Sequence, residues 1–138
     1  MLHARSALLA LAVAITAPIG VLALAPVATA QLSETKTFTP AAFEAAKKAG
    51  LPILVEVTAP WCPTCKAQKP ILSELSAQSK FAKLAIFQVD FDSQKDVLKM
   101  LGVQMQSTLI SYKGNKEVGR STGVTNKTAI EDQLNKSI

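Results

Sequence analysis

From Thr35 onward the apolar residues switch repeatedly between a two-residue and a three-to-four-residue period, so the chain predicts short strands alternating with amphipathic helices. Thr35 to Phe38 reads as an edge strand. Thr39 followed by Pro40 is an N-cap with proline at the first helical position, which predicts a helix to Ala49 stopped by Gly50. Ile53-Leu54-Val55-Glu56-Val57 is a mostly apolar, β-branched run that suits a central buried strand. A helix carrying Ile71, Leu72 and Leu75 on one face then extends to about Ser79, with Pro70 predicting a kink because it removes a ladder donor. Leu84 to Val89 is the next strand. Ser93 with Asp96 three residues on forms a capping-box-like start for a helix ending near Leu101 and Gly102. Thr108 to Tyr112 and Glu117 to Ser121 flank Lys113-Gly114-Asn115-Lys116, a hairpin signal that makes these strands antiparallel. From about Thr125 a last helix places Ala129, Ile130 and Leu134 on one face. Together these elements predict an α/β domain whose mixed sheet is flanked by helices on both faces.

Residues 1–30 fit neither pattern and read as a secretory signal peptide. Arg5, with His3, gives a short positive start. The run from Ala7 through Val13 to Leu24 is apolar, and Ala28-Thr29-Ala30 is a small-residue cleavage site. The alternative is an uncleaved membrane anchor, since the apolar stretch just reaches the length needed to cross about 30 Å of hydrocarbon; Pro18, Gly20 and Pro26 weaken such a helix. Export to the periplasm or an equivalent compartment is therefore expected, with residues 31–138 as one small domain and no room for a second catalytic module. Without Arg5, fourteen Lys and Arg face ten Asp and Glu. The lysines, among them Lys47, Lys48, Lys66, Lys69, Lys80, Lys83, Lys113 and Lys116, are spread along the chain with no interleaved aromatics, so a solvated surface explains them better than a nucleic-acid face.

The chain has two cysteines, Cys62 and Cys65, three positions apart. A structural staple gains from closing a long loop, and a two-residue spacer closes very little, so redox chemistry accounts for the pair better than stability does. Cys62 falls just past a buried strand and at the start of a helix, where unpaired amides and the helix dipole favour a thiolate. In such settings cysteine pKa values drop from roughly 8.5 to about 3.5–7.5. Cys62 is thus the expected nucleophile. Cys65, one helical turn on, is placed to resolve a mixed disulfide and is expected to carry the more buried sulfur. The competing reading of Cys-X-X-Cys is half of a zinc or iron–sulfur site. His3, in the leader, is the only histidine and no second cysteine pair exists, so a closed metal site would need two chains. No organic cofactor and no metal are expected. Glu56, an acid within an apolar strand, is costly to bury while charged; its pKa is expected to rise, which suits a proton acceptor, whereas an exposed or lysine-paired position is the plainer alternative.

The segment Leu54-Val55-Glu56-Val57-Thr58-Ala59-Pro60-Trp61-Cys62-Pro63-Thr64-Cys65-Lys66, with Pro70 five residues after Cys65, resembles the active-site segment of the thioredoxin family. Gly102-Val103 leading to Thr108-Leu109, then Lys113-Gly114 and Gly123, resemble the family's second half in order and spacing. The resemblance covers nearly all of residues 31–138 and implies a thioredoxin-like fold. It also implies roles: Cys62 attacks, Cys65 resolves, Trp61 shields the disulfide, and Glu56 takes the position of a buried acid that exchanges protons with the second cysteine. The loop Gln106-Ser107-Thr108 corresponds to the family's substrate-pairing loop.

Two departures stand out. The family usually has a cis-proline directly before the Thr-Leu pair, and this chain has Ser107. A cis peptide without proline costs roughly 2.5–4 kcal/mol, so the Gln106–Ser107 peptide is expected to be trans. In the family this loop pairs with the substrate backbone and its proline keeps metals from the cysteines, so Ser107 bears on both properties. Gln88 stands where thioredoxins often carry a lysine near the buried acid. The spacer Pro63-Thr64 is neither the Gly-Pro of reducing thioredoxins nor the Pro-His of strong oxidants. Family potentials run from about −270 to about −120 mV, roughly 7 kcal/mol for two electrons, largely through thiolate stabilisation. Without a spacer histidine the expectation leans toward a reductant. The sequence therefore predicts a monomeric exported protein-disulfide oxidoreductase that acts on protein thiols and disulfides and is recharged by a membrane electron donor. A disulfide-donating oxidase feeding a membrane acceptor, or a redox-inactive or metal-linked interaction module, is the alternative.

Overall fold

The structure, a computed structural model, describes residues 33–138, so the leader expected over residues 1–30 lies outside the described residues. In chain order the elements are β1 (Thr35–Thr37), α1 (Pro40–Lys48), β2 (Pro52–Thr58), α2 (Pro63–Ser76), β3 (Ala85–Asp90), α3 (Lys95–Leu101), β4 (Thr108–Lys113), β5 (Lys116–Thr122) and α4 (Lys127–Asn135). They form one mixed sheet in the order β1-β3-β2-β4-β5. β1 and β2 both run parallel to β3, while β4 is antiparallel to β2 and to β5. The expected strands, helices and antiparallel hairpin are all present.

Strand alternation decides which helices cover which face. Ile53, Val55 and Val57 of β2 point with Phe87, Val89, Ile110 and Tyr112 into a core shared with Phe43 and Ala46 of α1 and Leu98 and Leu101 of α3. Phe38, Phe43, Phe87 and Tyr112 pack there as an aromatic cluster, with ring centroids 5.1–6.0 Å apart. On the opposite face Leu54, Ile86 and Leu109 pack against Leu72 and Leu75 of α2 and Ile130 and Leu134 of α4. Each such side chain contributes about 1.5–3 kcal/mol on full burial. Glu56 interrupts this second face. It shares the alternation of Leu54 and so lies on the α2 side of the sheet, in register with Gln88 of β3 and Leu109 of β4.

Two local expectations are corrected. The helix after the cysteines ends at Ser76 rather than Ser79, because Gln78 turns extended and Ser79–Phe81 forms a separate 3-10 turn that buries Phe81 under the second core. The capping box at Ser93 does not form. Asp90 outcompetes it: its Oδ1 accepts the Ser93 hydroxyl at 2.6 Å and the amides of Ser93 and Asp92 at 2.7 and 3.1 Å. A carboxylate is the stronger acceptor, so Ser93 becomes a donor to it and α3 starts later, with Gln94 at the cap position. These bonds, the Ser93 hydroxyl first, hold the Asp90 pKa below its ordinary value.

Candidate active site

β2 ends at Thr58 in the middle of the sheet, and the turn Ala59-Pro60-Trp61 carries the chain into α2 with Cys62 as N-cap and Pro63 in the first turn. Proline there gives up no helical hydrogen bond, because that amide has no partner in any case. Cys62 and Cys65 are joined as a disulfide with their Cα atoms 5.3 Å apart. Cys62 Sγ also accepts the backbone amide of Cys65 at 3.0 Å. The sulfur thus occupies the place of a capping oxygen, with an N–H donor aimed at it and the positive end of α2 behind it. Both features favour a thiolate once the disulfide is reduced.

The expected order of burial is not observed. Cys62 is 0 % exposed and Cys65 is 4 % exposed, so it is not Cys65 that lies deeper. Cys62 packs with Ala59, and Phe91 lies against the pair. Cys65 instead lines a partly open cavity of about 420 Å³ whose wall also includes Glu56, Lys66, Lys69, Gln88 and Asp90. Such a volume, with several polar side chains in its wall, has room for several waters.

Glu56 is 7 % exposed. Burial pushes its carboxyl pKa up, and the charge of Lys69 acts against that rise. Lys69 lies four residues after Cys65 on α2, on the same helical face, and Gln88 is the neutral cross-strand neighbour of Glu56 on β3. The cation beside this acid therefore comes from the helix above rather than from the strand beside it. A cysteine pair that can open and close its disulfide, a carboxyl with elevated pKa and a cavity lined by both Cys65 and Glu56 can together move two electrons and the accompanying proton.

Trp61 stands on the rim, 56 % exposed, with its indole Nε1 donating to Asp92 Oδ2 at 2.8 Å and its ring edge-on to Phe91 at 6.4 Å. The loop Gln106-Ser107-Thr108 comes alongside because Thr108 opens β4 opposite Val57, at the end of β2 from which the cysteine turn departs. Thr108 Oγ1 donates to Met105 O at 2.8 Å, and Met105 is itself 56 % exposed. The Gln106–Ser107 peptide is trans, as expected without proline. Ser107 reaches its position differently: it has φ +55°, the one non-glycine residue with positive φ among the described residues. Its carbonyl accepts from Gln68 Nε2 at 3.2 Å and from the Gly123 amide at 3.0 Å, and its hydroxyl closes onto Gln106 O at 2.6 Å.

A left-handed L-residue costs about 1–2 kcal/mol, which glycine would not incur. Glycine also loosens the unfolded chain, which costs about 0.4–1 kcal/mol. Ser107→Gly is therefore expected to be between neutral and about 1.6 kcal/mol more stable than wild type in urea unfolding. A loss of about 0.4–1 kcal/mol instead, the unfolded-chain cost with no strain relieved, would mean that Ser107 is not left-handed in solution.

Sequence reasoning singled out Glu56, Trp61, Cys62, Cys65, Gln106, Ser107 and Thr108, and all lie at this end of the sheet. It did not single out Gln68, Lys69, Phe91 or Asp92. Gln68 carried the one available signal, a polar residue three positions after Cys65 on a face otherwise continued by Leu72 and Leu75. Among the described residues, no three His, Cys, Asp or Glu side chains gather into a metal-binding group.

Comparison with known proteins agrees with this geometry. The family model described as thioredoxin matches residues 34–136. A thioredoxin of Alicyclobacillus acidocaldarius is 31% identical over 100 residues, covering 72% of this chain and 94% of its own. The crystal structure of Trxlp from Edwardsiella tarda is 44% identical with a TM-score of 0.71, covering 73% of this chain and 98% of that one. Thioredoxin NaTrxh from Nicotiana alata is 29% identical with a TM-score of 0.66, covering 76% of this chain and 93% of that one. With a family match over most of the chain and a closed cysteine pair at the end of the central strand, this protein belongs to the thioredoxin family and is a thiol–disulfide oxidoreductase.

Proposed function

We propose that the protein is an exported, monomeric reductant of protein disulfides, drawing electrons from a membrane donor and needing no bound cofactor. The observation that carries the reductant reading is the capping of Cys62 Sγ by a single backbone amide, that of Cys65, with a neutral Pro63-Thr64 spacer between the cysteines. One amide and a helix end stabilise a thiolate, but less than an added imidazolium would, and a less stabilised thiolate makes the dithiol form the better electron donor. Export rests on the leader-like composition of residues 1–30, and the membrane donor follows from export, since a reductant outside the cytoplasm must be recharged across the bilayer.

In the reaction, the Cys62 thiolate attacks one sulfur of the substrate disulfide and that S–S bond breaks. One substrate sulfur leaves as a thiolate and takes up a proton; the other is held in a mixed disulfide with Cys62. Glu56 accepts the proton of the Cys65 thiol through the shared cavity. Cys65 then attacks Cys62 Sγ, the mixed disulfide breaks, and the second substrate sulfur leaves and is protonated. Two electrons pass to the substrate, and the protein is left as the closed Cys62–Cys65 disulfide. Trp61 shields that disulfide at the rim, while Gln106, Ser107 and Thr108 receive the substrate backbone. Cys62 has no exposed surface in the closed form, so recharging it requires the cover formed with Ala59 and Phe91 to open.

The test is insulin-disulfide reduction in dithiothreitol together with the equilibrium potential of the pair, followed through Trp61 fluorescence in redox buffers. A potential near about −250 mV with insulin reduction above the reductant alone is the expected result. A value near about −120 mV would make the protein a disulfide donor feeding a membrane acceptor. Activity no higher than dithiothreitol alone would favour an interaction module instead.

A further inference from the structure

Gln68 lies on α2 three residues after Cys65, is 0 % exposed, and is the largest buried polar side chain beside the redox pair. Burying an amide is unfavourable unless its hydrogen bonds are made, and here only half are. Its Nε2 donates to Ser107 O at 3.2 Å and to Val124 O at 2.9 Å, while its Oε1 has no hydrogen-bonding partner. Both partners are carbonyls and can only accept, so the NH2 end must face them. A leucine or methionine would fill the site with no orphaned oxygen. What a glutamine provides that they do not is a pair of donors, aimed at two chain segments 39 and 56 residues away in sequence. One of those segments is the loop beside the disulfide, held at its single left-handed serine. The same Ser107 carbonyl takes the Gly123 amide from beyond the end of β5, so it is fixed from two sides.

We propose that Gln68 is a positioning residue for disulfide exchange: it straps the helix bearing Cys62 and Cys65 to the Ser107 carbonyl, holds that residue left-handed, and so sets where Gln106 meets the substrate backbone relative to Cys62. The proposal rests on the reading that this loop receives a protein substrate. Gln68 touches neither substrate nor sulfur, so its removal acts on docking and leaves the electron chemistry of the pair in place.

The test uses Gln68→Leu and, as a near-isosteric and unbranched second variant should leucine prevent folding, Gln68→Met, both in the full chain. The Ser107 and Gly123 amide signals are expected to move in the ¹H–¹⁵N spectrum, and exchange of the Gly123 amide should accelerate at least about tenfold. KM for insulin should rise at least about fivefold with kcat within about twofold, since a misplaced loop weakens binding before it touches the chemistry. The rate with dithiobis(nitrobenzoate), a small disulfide with no peptide backbone to pair, should stay within about twofold, and the midpoint potential should not move. Gln133→Leu is the control, because Gln133 is a second buried glutamine whose Nε2 bonds Leu109 O and Ser111 Oγ within β4 and no residue of the loop. It should leave the insulin KM unchanged. Unaltered Gly123 exchange in the Gln68 variants overturns the strap, and a KM rise equalled by Gln133→Leu overturns its role in positioning. If wild type reduces dithiobis(nitrobenzoate) but not insulin, the reading of the loop as a protein-docking site fails, and the positioning proposal fails with it even where the strap is intact in the spectra.

Discussion

Cys62→Ser is expected to lower insulin-disulfide reduction to the level of dithiothreitol alone, a loss of at least about a thousandfold in the protein-catalysed rate. A hydroxyl at this position is not ionised near neutral pH and forms no mixed disulfide, so the exchange has no first step. The substitution separates chemistry from folding, because serine is a favoured N-cap and its oxygen can accept the Cys65 amide in place of Sγ. Loss of the short disulfide loop removes only about 2 kcal/mol of entropic stabilisation relative to the oxidised protein. The two cores on either side of the sheet do not depend on it. Cys65→Ser should behave differently: the first attack proceeds and the substrate stays attached, so a mixed disulfide accumulates and is visible by mass spectrometry under non-reducing conditions. Full insulin activity in Cys62→Ser, or trapping by Cys62→Ser rather than Cys65→Ser, would reverse the assignment of attacker and resolver.

The contrast between what the sequence announces here and what it conceals follows the range of the contacts involved. Strand β2 is legible because a short, mostly apolar and β-branched run has few alternatives to a buried strand, and the cysteine pair is legible because two cysteines three apart at a strand-to-helix junction have few other uses. Thr39 caps α1 as its position next to Pro40 suggests, accepting the Ala42 amide at 3.2 Å. Local rules fail where a distant or stronger group competes. Ser93 has the spacing of a cap, yet Asp90, outside the four-residue pattern, takes its hydroxyl. Gln68 looks like an ordinary polar residue of an amphipathic helix until β4 brings Ser107 to it, and Asp92 acquires a role only when the fold places it 2.8 Å from the Trp61 indole. The missing proline was legible as a trans peptide but not as a left-handed serine, because that conformation is held by Gln68 and Gly123 rather than by Ser107 itself. The depth of Cys62 was misjudged for a similar reason. Helix position says which sulfur is the N-cap, but the cavity beside Glu56, which exposes Cys65 slightly, exists only in the assembled sheet and helix.

That cavity carries the second large effect. Glu56→Gln is expected to slow the resolving step, with mixed-disulfide decay falling at least about tenfold between pH 6 and 8, because the amide cannot accept the Cys65 proton. Its effect on stability should have the opposite sign. Burial raises the carboxyl pKa above its value in the unfolded chain, so the fold favours the protonated form. The stability contributed by Glu56 is therefore fully present below the unfolded pKa and is lost as pH rises through the folded pKa. The amide of Glu56→Gln never ionises, so the variant should gain stability over wild type as pH climbs from 4 to 8, as read from urea midpoints. Lys69 supplies the check on cause. It lines the same cavity together with Lys66 and Asp90, and its charge opposes the upward shift of Glu56. Lys69→Met should move the pH dependence of mixed-disulfide decay to higher pH, because the carboxylate then loses its compensating cation while desolvation stays. A buried acid that merely strained the strand would give the stability gain of Glu56→Gln without the slower decay. An exposed or fully paired acid would give neither, and a decay rate unchanged from pH 6 to 8 would remove Glu56 from the proton path.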